Sequence, residues 1–159
     1  MRAHTLAKLF CIATLWGAGT GFCRTLAAEP VVTALNEAIQ DEYRAQATYQ
    51  KVISDFGQVR PFINIVEAET RHISALSALF ERRGLKTPTS RWGEHNVPSY
   101  ESVGAACRDA VHGELENIAM YDRLLKRELP EEVEQTFKYL RAASLDNHLP
   151  AFRRCAERR

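Results

Sequence analysis

Residues 61–84 read PFINIVEAETRHISALSALFERRG. Phe62, Ile65, Val66, Ile73, Leu76, Leu79 and Phe80 recur at three- and four-residue steps, the period of one helix face. Pro61 opens the run and Gly84 closes it, the usual asymmetry of helix ends. Glu69 and His72 fall on the same apolar face, three residues apart and therefore side by side. A carboxylate there needs a partner, because burying an unpaired charge is expensive. This stretch therefore predicts a helix whose buried side carries chemistry.

Three further segments share the helical period. VVTALNEAIQDEYRAQATYQKVISDFG ends at Gly57 and places Leu35, Ala38, Ile39, Tyr49, Val52, Ile53 and Phe56 on one face. A third helix starts at Ser99 or Ser102, either of which can cap it, and runs to about Leu129. A fourth starts at Pro130-Glu131-Glu132 and runs to about Cys155, with Pro150 expected to kink or interrupt its last turns. No stretch alternates with period two, and no Asn-Gly or Asp-Gly hairpin signal occurs. The chain is thus expected to be all-α.

Residues 38–49, AIQDEYRAQATY, align with residues 110–121, AVHGELENIAMY, pairing Glu42 with Glu114 and Tyr49 with Tyr121. ETRHISAL at 69–76 and LDNHLPAF at 145–152 align His72 with His148. Helices 1 and 2, and helices 3 and 4, are joined by short connections, so each pair should form an antiparallel hairpin. GLKTPTSRWGEHNVPS joins the hairpins and is long enough to run the length of a bundle. Two similar hairpins with one long crossover are the arrangement of a ferritin-like four-helix bundle.

Glu42, Glu69, His72, Glu114 and His148 lie on buried stripes at similar heights along their helices. A Glu from each of two helices and a Glu-x-x-His from each of the other two is the recipe for a carboxylate-bridged two-metal site. Such ligands suit iron or manganese, as one or two ions, and are compatible with zinc. The recipe is incomplete here: Leu145 stands three residues before His148, where the fourth carboxylate belongs. Tyr49, Tyr121, Glu116 and Asn147 are candidates to support the ligands from behind, with Glu116 and Asn147 rotated away from the ligand face. The expected chemistry is a non-haem redox reaction with oxygen or peroxide, or oxidation of ferrous iron. Two other readings remain: a Glu–His–Tyr hydrogen-bond network that only fixes helix register, and a partner-binding envelope module using Trp92 and His95 of the crossover. No oxidoreductase assignment follows from the sequence alone.

FINIVEAETRHISALSALFERRGL, GELENIAMYDRLL and ASLDNHLPAF together resemble the uncharacterised ferritin-like family known as domain of unknown function 2202, over most of residues 34–155. The resemblance implies a ferritin-like bundle with functional positions at Glu42, at Glu69 with His72, at Glu114 with Glu116, and at Asn147 with His148. It also implies an altered metal site as a family trait, and it brings no established activity.

The opening MRAHTLAKLFCIATLWGAGTGFCRTLAAEP has the order of a secretory signal, with Arg2 and Lys8 before an apolar run and small residues near Ala28. The expected organisation is a signal peptide over 1–28 and one bundle domain over 29–159, exported to the periplasm. The alternatives are a retained helix, or a lipid anchor at Cys23, which Phe22 disfavours. Beyond residue 28 the 18 basic and 20 acidic residues give a formal charge of −2, which offers nucleic acid no basic footprint. No membrane span is expected once the signal is gone. A homo-oligomer is compatible with the sequence but not indicated by it. Cys107 and Cys155 remain beyond residue 28 and fall at similar heights on facing stripes of helices 3 and 4, so a disulfide is expected, with buried free thiols as the alternative. No Gly-rich phosphate loop, Cys-x-x-Cys or Gly-x-Ser-x-Gly is present, and no haem or nucleotide is indicated.

Overall fold

A computed structural model describes residues 28–158. The expected signal peptide lies, all but Ala28, outside the described residues. Among these residues the chain is all-helical, with no strand. The helices are α1 (Ala28–Phe56), α2 (Phe62–Glu81), α3 (Val103–Leu124), α4 (Glu131–Ala143) and α5 (Leu149–Ala156). A π turn, Ser144–His148, joins α4 to α5, and a short 3-10 turn, Glu94–Asn96, lies in the crossover. No described helix is long and apolar enough to cross a membrane.

Local chemistry explains the ends. Gly57 and Gly84 adopt φ of 83° and 64°, where a Cβ is strained. At the end of α2, the Leu85 N–H donates to Phe80 O at 3.0 Å and the Gly84 N–H to Glu81 O at 2.9 Å, which satisfies carbonyls left open by the last turn. Ser102 caps α3, its Oγ accepting from the Ala105 N–H at 3.1 Å. The expected end of this helix near Leu129 is corrected to Leu124. There the Arg127 N–H bonds Leu124 O at 3.1 Å, a tighter three-residue step, and Pro130 disfavours helical backbone at Leu129.

The fourth helical segment carries the main surprise. Pro150 neither ends it nor forces a break at its own position. The widening occurs upstream, where the Leu149 N–H bonds back to Ser144 O across five residues. Pro150 has no N–H to give and its ring crowds the carbonyl four residues earlier; a π turn relieves both constraints.

α1 packs along α2, and α3 packs along α4 and α5, while α1 also meets α3 and α2 meets α4. Two apolar clusters form the core. One gathers Leu35, Ile39, Leu76, Phe80, Tyr121, Leu124, Phe137 and Leu140. The other gathers Tyr49, Val52, Phe62, Ile65, Ala106, Phe152 and the two cysteines. Cys107 and Cys155 are joined by a disulfide, with Cα atoms 5.9 Å apart. The crossover lies against α1: the Gln40 side-chain amide donates to Thr89 O at 2.8 Å and its oxygen accepts from the Arg91 N–H at 3.1 Å. Between the apolar clusters sits a layer of buried polar side chains.

Candidate metal centre

The polar layer consists of Glu42, Glu69, His72, Glu114, Asn117, Ser144 and His148, each at most 6% exposed. One helical turn separates Glu42 from the apolar residues Ala38 and Ile39 on α1, so burying that face of α1 buries the carboxylate with them. The same holds for Glu69 and His72 between Ile65 and Leu76, and for Glu114 between Ala110 and Tyr121. His148 enters from the π turn.

All five residues expected to carry ligands meet in this layer. His72 Nδ1 lies 2.9 Å from Glu69 Oε2 and 3.1 Å from Glu42 Oε2. His148 Nδ1 lies 3.3 Å from Glu69 Oε1 and 3.5 Å from Glu114 Oε2, close enough for ion pairs but without the alignment of a hydrogen bond. Glu69 therefore stands between two groups, Glu42–Glu69–His72 and Glu69–Glu114–His148. In each, the ligand atoms lie within 4.8 Å of one another, so either group could hold a metal ion. The two imidazoles stack, with centroids 5.5 Å apart and planes 18° from parallel.

The tyrosines reach across the hairpins. Tyr121 donates to Glu42 Oε1 at 2.6 Å, and Tyr49 donates to Glu114 Oε1 at 2.7 Å. Each tyrosine thus serves the carboxylate that its own repeat does not contain. Glu116 and Asn147 are placed elsewhere: both are exposed, and Glu116 accepts from Arg44 at 3.1 Å. The helical directions that rotated these two residues away from the ligand face account for this.

Asn117 and Ser144 fill the corner of the layer beside Glu42. The Asn117 amide donates to Asp41 Oδ2 at 2.8 Å and to Glu42 Oε1 at 3.3 Å, and its oxygen accepts from Ser144 Oγ at 2.8 Å. Leu145 points outward, 38% exposed. Asn117 was missed as a site residue, although its position was informative: it lies three residues after Glu114 and four before Tyr121, on the same helix face.

Crowding these groups in a dry interior shifts their protonation. Burial, reinforced by the charge of Glu69, raises Glu42 to about 7. Burial pushes Glu69 up as well, but the imidazoles of His148 and His72 outweigh it and leave Glu69 below the usual carboxylate range. Burial alone would lower both histidines. The carboxylates of Glu42 and Glu69 instead lift His72 to about 9, and those of Glu114 and Glu69 lift His148 to about 10. Tyr49 and Tyr121 are held neutral by burial and by the carboxylates they contact.

Fold and site together define an all-helical protein with a buried carboxylate–imidazole cluster able to take a metal ion. No family model matches the chain, and no curated protein matches it. Solved structures that share the fold include two hypothetical proteins. One is a conserved hypothetical protein, rv2844, from Mycobacterium tuberculosis, with a TM-score of 0.69 and 14% identity over 81% of this chain and 92% of its own. The other is a hypothetical protein, MJ0754, from Methanococcus jannaschii, with a TM-score of 0.69 and 20% identity over 91% of this chain and 85% of its own. At these identities the likeness speaks for the fold alone.

Proposed function

We propose that this chain is an exported, ferritin-like four-helix bundle that holds one or two divalent cations, iron or manganese, on Glu42, Glu69, His72, Glu114 and His148. The observation that carries the reading is the pair of three-residue groups sharing Glu69, with His148 Nδ1 buried among carboxylates and lacking a hydrogen-bond partner. A buried ring nitrogen that faces carboxylates without an aligned hydrogen bond is under-satisfied, and a cation is the partner this set of oxygens and nitrogens favours. Three carboxylates also match the charge of one or two divalent ions better than that of an empty interior. The resemblance to domain of unknown function 2202 and the altered site it implies are part of the same reading.

When bound, such ions would supply one-electron exchange with oxygen, peroxide or ferrous iron. The chain's own groups do the rest. Tyr121 and Asn117 orient Glu42, Tyr49 orients Glu114, and the two apolar clusters restrict water on either side. Export is supported by the Cys107–Cys155 disulfide and by the apolar N-terminal segment ending in small residues.

A second reading has its own support. Tyr121–Glu42, Tyr49–Glu114 and His72–Glu69 are already paired, and two protonated imidazoles largely balance the three acids. On that account the cluster only fixes helix register. The partner-binding account has less, since the Trp92 ring is half-buried against the body and His95 is exposed in the short turn. Metal analysis of protein purified without chelator, beside Glu69→Ala and His148→Ala, separates the first two. Iron or manganese near two equivalents, lost in both variants, supports the paired site, and one equivalent supports a single-ion site. Protein that stays metal-free after exposure to ferrous iron, yet is destabilised by both substitutions, would leave the structural network as the account.

A further inference from the structure

The cluster is approached from two sides, and the approaches differ in charge. Between α1, α3 and the crossover, a cavity of about 300 Å³ runs down to Glu69 and Glu114. Carboxylates stand along it at increasing depth: Asp109 is exposed, the Asp41 side chain is 16% exposed, and Glu114 is buried. Arg44 also lines it, but its guanidinium is held by Asp41 at 2.7 Å and by Glu116 at 3.1 Å. On the other side, between α2 and the α4–α5 segment, a cavity of about 310 Å³ leads to His72 and His148. Its lining holds Arg71 and no carboxylate.

Gly113 lines the first cavity, beside Glu114 and in the middle of α3. A glycine there disfavours the helix relative to alanine. No positive φ calls for it, since only Gly57 and Gly84 have one among the described glycines. Close packing does not call for it either: a Cβ at 113 would meet nothing within 4 Å. The missing side chain leaves open space where the cavity reaches the buried carboxylates.

We propose that the α1–α3 cavity is the passage by which a divalent cation exchanges between solution and the Glu69–Glu114 side of the cluster, with Gly113 keeping it open and Asp109 at its mouth drawing the ion inward. This rests on the metal-binding reading above. Graded carboxylates raise the local cation concentration, while Arg71 and the imidazole faces make the second cavity a poor route for a cation.

Stopped-flow absorbance with Co²⁺ as the probe tests the passage in three variants. Gly113→Leu fills the passage from a helical position; we expect uptake at least tenfold slower, with the same final equivalents and an undiminished Tm. Asp109→Lys reverses an exposed charge outside the ligand set; we expect uptake about threefold to tenfold slower, the difference shrinking as salt is raised. Ala143→Leu narrows the second cavity and should leave the rate unchanged. Wild-type rates in both Gly113→Leu and Asp109→Lys, or slowing in Ala143→Leu alone, would overturn the passage while leaving metal binding intact. No Co²⁺ uptake by the wild-type protein would overturn the metal reading and the passage together. Should Gly113→Leu fold poorly, the surface variant Asp109→Lys decides.

Discussion

Opening the Cys107–Cys155 bridge should have a large effect, and its size follows from where the bridge sits. It joins the first turns of α3 to the end of α5 and closes a loop with a sequence separation of 48. In the chain-entropy picture, a closed loop of that length restricts the unfolded chain enough to add about 4 kcal/mol to stability. Both sulfurs lie in the apolar cluster with Tyr49, Phe62 and Phe152, so native packing holds the ends together once the bond is gone. Most of the loss should therefore appear as a gain in freedom of the unfolded chain. With an unfolding entropy of about 2.1 cal/mol/K per residue over roughly 130 residues, 4 kcal/mol corresponds to a drop of about 15 °C in Tm. Thermal unfolding followed by circular dichroism, with and without a phosphine reductant and beside the Cys107→Ala/Cys155→Ala variant, measures it. A drop under about 3 °C, or two alkylatable thiols in the non-reduced protein, would refute the reasoning. It would also remove a support for export.

The two tyrosines give a second test. Tyr49→Phe removes the only hydroxyl that bonds Glu114 Oε1 among the described residues, whereas Tyr121→Phe leaves Glu42 Oε1 with the Asn117 amide at 3.3 Å. Each change should destabilise the metal-free protein by about 1.5–3 kcal/mol and weaken metal affinity about 10–100-fold, with Tyr49→Phe the more damaging. Equal stability and equal affinity in both variants would sink the assigned roles. Proton release gives a third. In the metal-free protein His72 and His148 are raised to about 9 and 10, so both carry a proton at pH 7, and metal binding requires them neutral. Loading at pH 7 should release about two protons, with Glu42, near 7, adding a fraction. Apparent affinity should then rise about 100-fold per pH unit between pH 7 and 8, less steeply as His72 titrates near 9, and weaken as pH falls. Calorimetry in buffers of different ionisation enthalpy counts the protons, and a count of zero would contradict the assignment.

Helix existence was legible because periodicity is a local property of the chain. Leu35, Ile39 and Val52 on α1, or Leu76, Leu79 and Phe80 on α2, announce their burial without knowledge of any partner. Ends were legible where one residue decides them, as at Gly57, Gly84 and Pro130. The end of α3 was not, because Leu125 and Leu129 continue the apolar stripe while the backbone has already tightened. Both are half-buried against the core from outside the helix, so side-chain pattern and backbone state part company there.

The site divides along the same line. Glu42, Glu69, His72, Glu114 and His148 were readable because a charged group on an apolar stripe has few explanations, and the repeat presents the situation twice. Asn117 was hidden by its neighbours: it directly follows the exposed Glu116, and an amide beside a surface carboxylate looks like surface. Its role appears only when α1 brings Asp41 and Glu42 to its N–H groups and the π turn brings Ser144 to its oxygen. That contact also gives a physical sense to the Leu145 departure. In a regular helix, position 145 would lie one turn before His148 and face the cluster. Widening the turn at Ser144–His148 sends Leu145 to the surface and puts Ser144 inside, four residues before His148. A carboxylate at 145 would therefore not have reached the cluster, and the neutral Asn117–Ser144 pair holds that corner without adding a fourth carboxylate to three already buried. The missing ligand and the proline-linked π turn are two sides of one local rearrangement, which is why counting Glu-x-x-His spacings along the sequence found a gap there.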